Sequence, residues 1–523
     1  MKKLIFILGF VLPFSLYAQL IKGKVTNTKK EVLPGASVYW LGTNIGVATN
    51  VSGEFEITLN NINSKKLIAS YVGHTSDTIE IANQTYVEFS LSEIKNLQEA
   101  IVKEQRGGVI ISSFNPIKVE QITQTELRKA ACCDLAGCFE TQTTVQPQTT
   151  NVITNAKELR ILGLSGVYNQ LLIDGFPLIQ GLSYTYGVSS IPGTLVDNIY
   201  VSKGANSVLQ GFESISGQIN VETKEPDKTD RLLLNGYVNN FMEKHFNMNY
   251  AFKKRKWSNL ISFHTVQPAN KIDRDEDAFL DLPLLRRYML ANKWKYGNDK
   301  NWGLHSRIGF RVLNEERIGG QVHFNANEHK GSSMVYGQTV AITQPEVWTK
   351  TGYRFNDQHH VVLFVSTFRQ QQQSYFGTTK YDATQTNFYT NLQYELNYGD
   401  HELKAGISYR YLNLDEQIAF TDTFLKRTYA GNYLRLEHIP GVFVENTLRM
   451  FNNRATLITG IRADKHNQFG YRFTPRTLLK YDLTSKAIVR MNVGAGWRTV
   501  NLFSENIGLL VSSRDILFSE TLQ

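Results

Sequence analysis

Three cysteines in 523 residues are too few for a disulfide framework. They sit together as Cys132, Cys133 and Cys138, which is not a zinc spacing. One pair can oxidise and leave one thiol; soft-metal capture by the three is the alternative to a local structural role. Proline is also scarce, at 12 residues, and with 20% charged residues this excludes a disordered protein. Hydrophobic residues make up 42%, with no run long enough to cross a bilayer as a helix, so a helical membrane bundle is excluded. The sequence has no phosphate-binding loop, no Ser/His/Asp motif and no metal-ligand helix. No His-x-x-Glu pair occurs anywhere, which removes the usual zinc carboxypeptidase pattern.

What is present is uneven. Of the 60 aromatic residues, 42 lie after residue 230, together with five of the six tryptophans. The sequence opens Met1-Lys2-Lys3, continues through an apolar run over residues 4–16 and reaches Leu16-Tyr17-Ala18. That is the layout of a secretory signal peptide cut after Ala18, and no cysteine follows to carry a lipid anchor. Residues 19–92 alternate short β-rich runs, such as Val38-Tyr39-Trp40-Leu41 and Phe55-Glu56-Ile57-Thr58-Leu59, with turn residues, predicting a small sandwich. The string from Gly23-Lys24-Val25 through Leu33-Pro34-Gly35-Ala36 to Gly53-Glu54-Phe55 resembles the carboxypeptidase-regulatory-like domain, whose name does not imply peptidase activity.

Residues 93–108 read as a linker. In it, Leu97-Gln98-Glu99-Ala100-Ile101-Val102 lies between an accessory domain and a second globular unit. That position makes it resemble a TonB box, an extended peptide that adds as a strand to an energy-transducing partner. Residues 109–228 then carry an ordered series of elements. The apolar run Leu171-Leu172-Ile173 predicts a buried strand, and Asp174-Gly175 a tight turn before Pro177. A strand follows that ends in Lys203-Gly204, then Gly211, then Gly217-Gln218-Ile219-Asn220-Val221. This passage resembles the plug of Bacteroidetes-type TonB-dependent outer-membrane receptors, with its "LIDGxP" hairpin, "KG" strand end and "GxINV" strand. Arg160 and Gly163 stand where the family has an "RG" element. The stretch from Cys132 to Thr141 is a variant of the plug's early helix. Turn geometry accounts for the glycines, and none of these residues is read as catalytic.

From 229 to 523 period-2 segments recur. Leu403, Ala405, Ile407, Tyr409 and Tyr411 share one face, with Glu402, Lys404, Gly406, Ser408 and Arg410 on the other. Phe388, Thr390, Leu392, Tyr394, Leu396 and Tyr398 likewise oppose Asn387, Asn391, Gln393, Glu395 and Asn397. Alternating segments of ~10 residues are the signature of a transmembrane β-barrel, and interfacial aromatics explain the aromatic excess. A soluble propeller or sandwich alternates too, without needing so many aromatics. The pattern predicts about 13 strands, against the 22 of plugged transporters. The stretch Gly494-Ala495-Gly496-Trp497-Arg498-Thr499-Val500-Asn501-Leu502-Phe503 resembles a "GFRxPNLxE" segment after which several strands normally follow. The barrel is therefore expected to be incomplete and the sequence truncated at its C-terminal end. His359-His360 and the pair Met242 and Met248 read as lumenal or lipid-facing positions and not as metal ligands.

The fold class expected is therefore mainly β: signal peptide, small sandwich, α+β plug, and the N-terminal part of an antiparallel transmembrane barrel. The resemblance implies a receptor in the cell outer membrane that takes up a scarce nutrient with energy from an inner-membrane TonB complex. It implies an extracellular small-molecule ligand, with ferric siderophores or other metal chelates ahead of cobalamin, haem or a glycan. It implies no enzyme, no cofactor and no nucleic acid. The net charge of +9 fits anionic ligands and equally an anionic lipid surface. A passive or structural outer-membrane barrel, its plug a permanent stopper, is the alternative from another class.

Overall fold

The computed structural model describes residues 19–518 apart from 44, 60–64, 73, 83, 93–108, 112–118, 124–125, 128–132, 205–206, 299, 423–426, 485–486 and 513. The expected signal peptide, the expected linker with its candidate TonB box and Cys132 all lie outside the described residues. The protein divides into two units, residues 1–105 and 106–523.

In the first unit, Gln19–Asn27 pairs antiparallel with Glu54–Leu59 and parallel with Tyr86–Leu91. A four-stranded sheet holds Gly46–Ala48, Ser37–Trp40, Lys66–Ser70 and Asp77–Glu80. The inward side chains of both sheets, with Trp40, Phe89, Ile21 and Leu67 fully buried, form one apolar core. This is the small sandwich that the alternation predicts.

In the second unit a five-stranded sheet runs Asn169–Ile173, Gly217–Thr223, Val196–Lys203, Val119–Ile122, Val109–Ile111. Asn169–Ile173 is buried along its whole length, as its apolar run predicts. The tight turn expected at Asp174-Gly175 is present, with φ of 52° and 86° and Phe176 N–H donating to the Ile173 carbonyl at 2.9 Å. It closes on a single bridge, Ile173 with Phe176, and the strand's ladder partner is instead the parallel Gly217–Thr223. The early helix is reduced, among the described residues of that stretch, to a 3-10 turn at Gly137–Phe139.

The remainder is a 13-stranded antiparallel sheet from Leu232–Val238 to Ala487–Gly494, every strand paired with its sequence neighbour. The count agrees with the sequence, but the lengths do not. The central strands run 18–20 residues, for example His359–Phe376 and His401–Phe420. Their outward faces explain why. On His401–Phe420 these residues change from Leu403, Ala405 and Ile407 to Asn413, Asp415 and Gln417; on His359–Phe376 they change from Val361, Leu363 and Val365 to Arg369, Gln371 and Gln373. An apolar band thus occupies one half of these two strands, and their ladder continues beyond it with polar outward residues. At the apolar end the turns are short, such as Arg255–Lys256 and Gly399–Asp400, whereas residues 268–283 and 321–336 loop at the other end. That end also carries the short turns Gly377–Thr378 and Asn467–Phe469, so the longest loops, though not every connection there, follow the usual asymmetry of outer-membrane barrels.

If the band is a lipid face, Ile407→Arg costs about 2–4 kcal/mol of folding stability in vesicles. Gln371→Arg, above the band, leaves stability within about 1 kcal/mol. Denaturant titration of refolding into vesicles measures both.

Candidate functional site

The inner face of the sheet carries charge at alternate positions. On Gly303–Gly320 the inward residues include Arg307, Arg311, Glu315 and Arg317. A buried charge is tolerated only with a partner, and here the partners come from the plug or from the neighbouring strand. Arg311 grips Glu346 at 2.7 and 2.9 Å. Glu315 joins Arg287 and Arg317, each at 2.5 Å. Arg317 donates onward to the plug carbonyls of Thr154 and Asn155 and to Ser189 Oγ, at 2.9–3.0 Å.

Two further groups hold the plug. Around residues 207–214, Arg476 donates to the carbonyls of Ser207 and Phe212 at 2.9 and 3.2 Å. Glu445 accepts Ser207 Oγ and Val208 N–H at 3.0 and 2.9 Å, and Arg410 reaches Glu213 at 2.8 Å. The Phe212 ring stacks on Trp497 with centroids 3.9 Å apart and planes 6° from parallel.

The other group centres on the Asp-Gly turn. Asp174 accepts Thr223 N–H at 2.8 Å and Thr223 Oγ1 at 2.6 Å, and pairs with Lys293 at 3.1 Å. Lys293 also meets Glu225 at 3.1 Å; Lys295 meets Glu225 and Asp227, both at 2.8 Å. Arg307 Nε donates to both oxygens of Glu225 at 3.2 Å. Burial alone would raise the Glu225 carboxyl, but Lys293, Arg307 and Lys295 outweigh it and hold the group well below the usual carboxylate range.

The sequence-derived plug residues fall in different places. Asp174, Gly175 and Asn220 come together, with Asn220 Oδ1 accepting Gly175 N–H at 3.0 Å. Gly175 has a φ that side-chain-bearing residues rarely adopt. A Cβ on Gly217 would run into the Ser202 carbonyl. Pro177 follows the same turn, and Lys203 pairs with Glu120 at 3.4 Å. Gly204 donates its N–H to the Ser216 carbonyl at 2.8 Å, and Gly211 packs by Gln170. Arg160 stays on the hairpin Val145–Asn151/Ala156–Ile161, bonded to Glu158 at 2.6 Å, with Gly163 in the turn after it.

Cys138 is disulfide-bonded and Cys133 is a free thiol. Burial, with Asp134 and Glu243 adding, pushes the Cys133 thiol up to about 11. His359 faces outward against Tyr394 Oη at 2.6 Å; His360 faces inward, Nδ1 on Glu395 at 2.9 Å and Nε2 at 3.2 Å from His305 Nε2. Met248 is on the outward face and Met242 in a loop. Sequence reasoning missed Lys293, Lys295, Arg307, Glu225 and Asp227. The signal was available for the wall residues, since Lys293 and Lys295 are alternate positions on a strand whose other face carries Tyr288, Leu290 and Trp294.

A plug sheet is thus seated by buried charge on the inner face of an antiparallel wall. Residues 230–509, more than half of the protein, match the TonB dependent receptor-like β-barrel family; residues 113–218 match the TonB-dependent receptor plug domain and residues 21–102 the CarboxypepD_reg-like domain. The chain belongs to the TonB-dependent receptors. Members of this family are transporters of the outer membrane and not enzymes. Two TonB-dependent receptors of Formosa agariphila are 27% and 22% identical over 221 and 214 residues, which is 40% and 39% of this protein and 21% and 20% of theirs. Among solved structures, a variant of the ferric enterobactin receptor PfeA of Pseudomonas aeruginosa has TM-score 0.57 at 12% identity, over 74% of this protein and 62% of its own length. The alcaligin receptor FauA of Bordetella pertussis has TM-score 0.56 at 13% identity, over 72% and 62%. The copper transporter OprC has TM-score 0.57 at 13% identity, over 73% and 63%. At such identity these structures share the fold. The match spans under two thirds of their length and about a fifth of the Formosa receptors.

Two measurements check the electrostatics. The Glu225 pairs contribute stability that is complete above the ordinary value of 4.5 and is lost as pH falls below it toward the depressed folded value. Glu225→Gln therefore flattens the acid limb of a stability–pH curve below about pH 4.5 and leaves its shape at pH 6–8 unchanged. A thiol raised from 9.0 to about 11 holds about 100-fold less thiolate at neutral pH. Iodoacetamide at pH 7.5 accordingly modifies Cys133 in the native receptor about 100-fold more slowly than in the urea-unfolded protein, read by intact mass.

Proposed function

We propose that this receptor performs energy-coupled uptake of a scarce nutrient across the outer membrane, with a ferric siderophore or another metal chelate as the ligand class. The observation that carries the proposal is the set of hydrogen bonds and ion pairs that seat the plug on the wall beside their shared apolar clusters, polar contacts that a pull can exchange for water. The ferric enterobactin and alcaligin receptors and a copper transporter share the fold, which supports a metal-bearing ligand. In this reading the signal peptide over residues 1–18 exports the protein, residues 19–92 are an accessory domain, and residues 109–228 form the plug within the barrel strands from 229 onward. Leu97, Gln98, Glu99, Ala100, Ile101 and Val102 add as a strand to the inner-membrane TonB partner.

Uptake of a radioactive ferric chelate into cells that lack their own receptors tests this. Ile101→Pro removes a backbone donor from the added strand and reduces uptake to the level of de-energised cells while ligand binding persists. Uptake unchanged by Ile101→Pro would favour a passive barrel and refute energy coupling.

A further inference from the structure

Between the plug and the wall, at the short-turn end, lies a cavity of about 500 Å³, within the size range of small-molecule sites. Six cations face it against four carboxylates. Three of the cations, Lys293, Lys295 and Arg307, are committed to Asp174, Glu225 and Asp227 of the plug. The fourth carboxylate, Glu222, is raised by burial, with the Asp174 charge adding. Lys228 and Lys300 stand exposed at its edge. Lys350 lies 4.9 Å over the Phe364 ring and Lys293 5.6 Å over Trp348, so charge and flat apolar surface are presented together.

We infer that this cavity is a way station for a multiply charged anion, and that Glu225 and Asp227 are counterions which such a ligand displaces as the plug moves. The inference rests on the transport reading and deepens it. Glu225 and Asp227 sit on the segment after the strand Gly217–Thr223, outside the ladder, so they can leave the wall without breaking a sheet hydrogen bond of that strand. Lys293 and Lys295 are on a wall strand paired on both sides and cannot follow. Once the plug segment withdraws, Lys295 loses the carboxylates of Glu225 and Asp227 and Lys293 keeps Asp174 alone, and an anion is the species that relieves them. The route is in this way matched in sign to its cargo, with the plug's carboxylates holding the place of that cargo at rest.

The probe is benzenehexacarboxylate, titrated calorimetrically into the full-length receptor in detergent micelles at low ionic strength, with spermidine as the cationic control. Glu225→Gln with Asp227→Asn removes the competing counterions and tightens benzenehexacarboxylate binding about tenfold. Lys300→Glu with Lys350→Glu weakens it about tenfold, and spermidine follows neither trend. Equal affinity in all three proteins overturns the inference, as does tightening for spermidine. If the carboxylate variant does not fold, the lysine variant decides alone: affinity equal to that of the unaltered receptor overturns the site. Uptake insensitive to Ile101→Pro, with these anion responses intact, refutes energy coupling and leaves the site standing. Unchanged anion affinity with Ile101→Pro-sensitive uptake refutes the site and leaves energy coupling standing.

Discussion

Charge cannot be buried alone, and the inner wall of this receptor buries a great deal of it. Arg287, Glu315, Arg311, Glu346, Arg462 and Asp464 are nearly inaccessible to solvent, and each finds its counter-charge on the same or an adjoining strand. Lys293, Lys295 and Arg307 do not; their carboxylates are on the plug. The plug is thus part of the electrostatic closure of the wall, and the wall fixes where the plug sits. Removing either partner leaves the other in a low-dielectric interior, a loss larger than any single surface ion pair supplies.

The same contacts set the mechanics. An apolar cluster joins Ile173, Phe176 and Ile179 of the plug to Trp348, Val362 and Phe364 of the wall, with Phe176 5.2 Å from Trp348 and 5.7 Å from Phe364. Smaller apolar seams join Leu182 and Tyr186 to Val340, Ile342 and Phe376, Leu195 to Leu260 and Met289, and Val208 to Phe443. Between them lie the polar contacts: Arg317 on plug carbonyls, Arg476 and Glu445 on residues 207–214, the lysines on Asp174 and Glu225. Polar contacts have a hydrated alternative, so their loss on separation is far smaller than their strength in a dry site. These polar contacts fix the register of the plug on the wall, beside the apolar clusters that the two share.

Much of the fold was legible because period-2 alternation reports which side of a strand is wet. Leu403, Ala405 and Ile407 against Glu402, Lys404 and Gly406 placed the two faces correctly. Strand length was not legible, since Asn413, Asp415 and Gln417 put polar side chains outward where a lipid-facing strand carries apolar ones, and the stretch reads as loop. The Leu171-Leu172-Ile173 run announced a buried strand, yet the parallel partner Gly217–Thr223 lies more than forty residues away and no local signal sets that pairing. The site was harder still. Asp174 was singled out as a turn residue, and it is one, but its bond to Lys293 spans 119 positions and depends on wall register. The candidate TonB box lies outside the described residues, so its reading stays with the sequence.

The most direct measurement is hydrogen exchange of the backbone amides in Gly217–Thr223 and Leu284–Tyr296 of the intact receptor in lipid. A plug closed electrostatically against the wall protects Ile219 and Val221 as strongly as Leu290 and Lys293, and replacing Lys293 with Met lowers protection in the plug strand while the wall strand stays protected. Fast exchange throughout Gly217–Thr223 beside a protected wall, unchanged by the Lys293 substitution, would contradict the account.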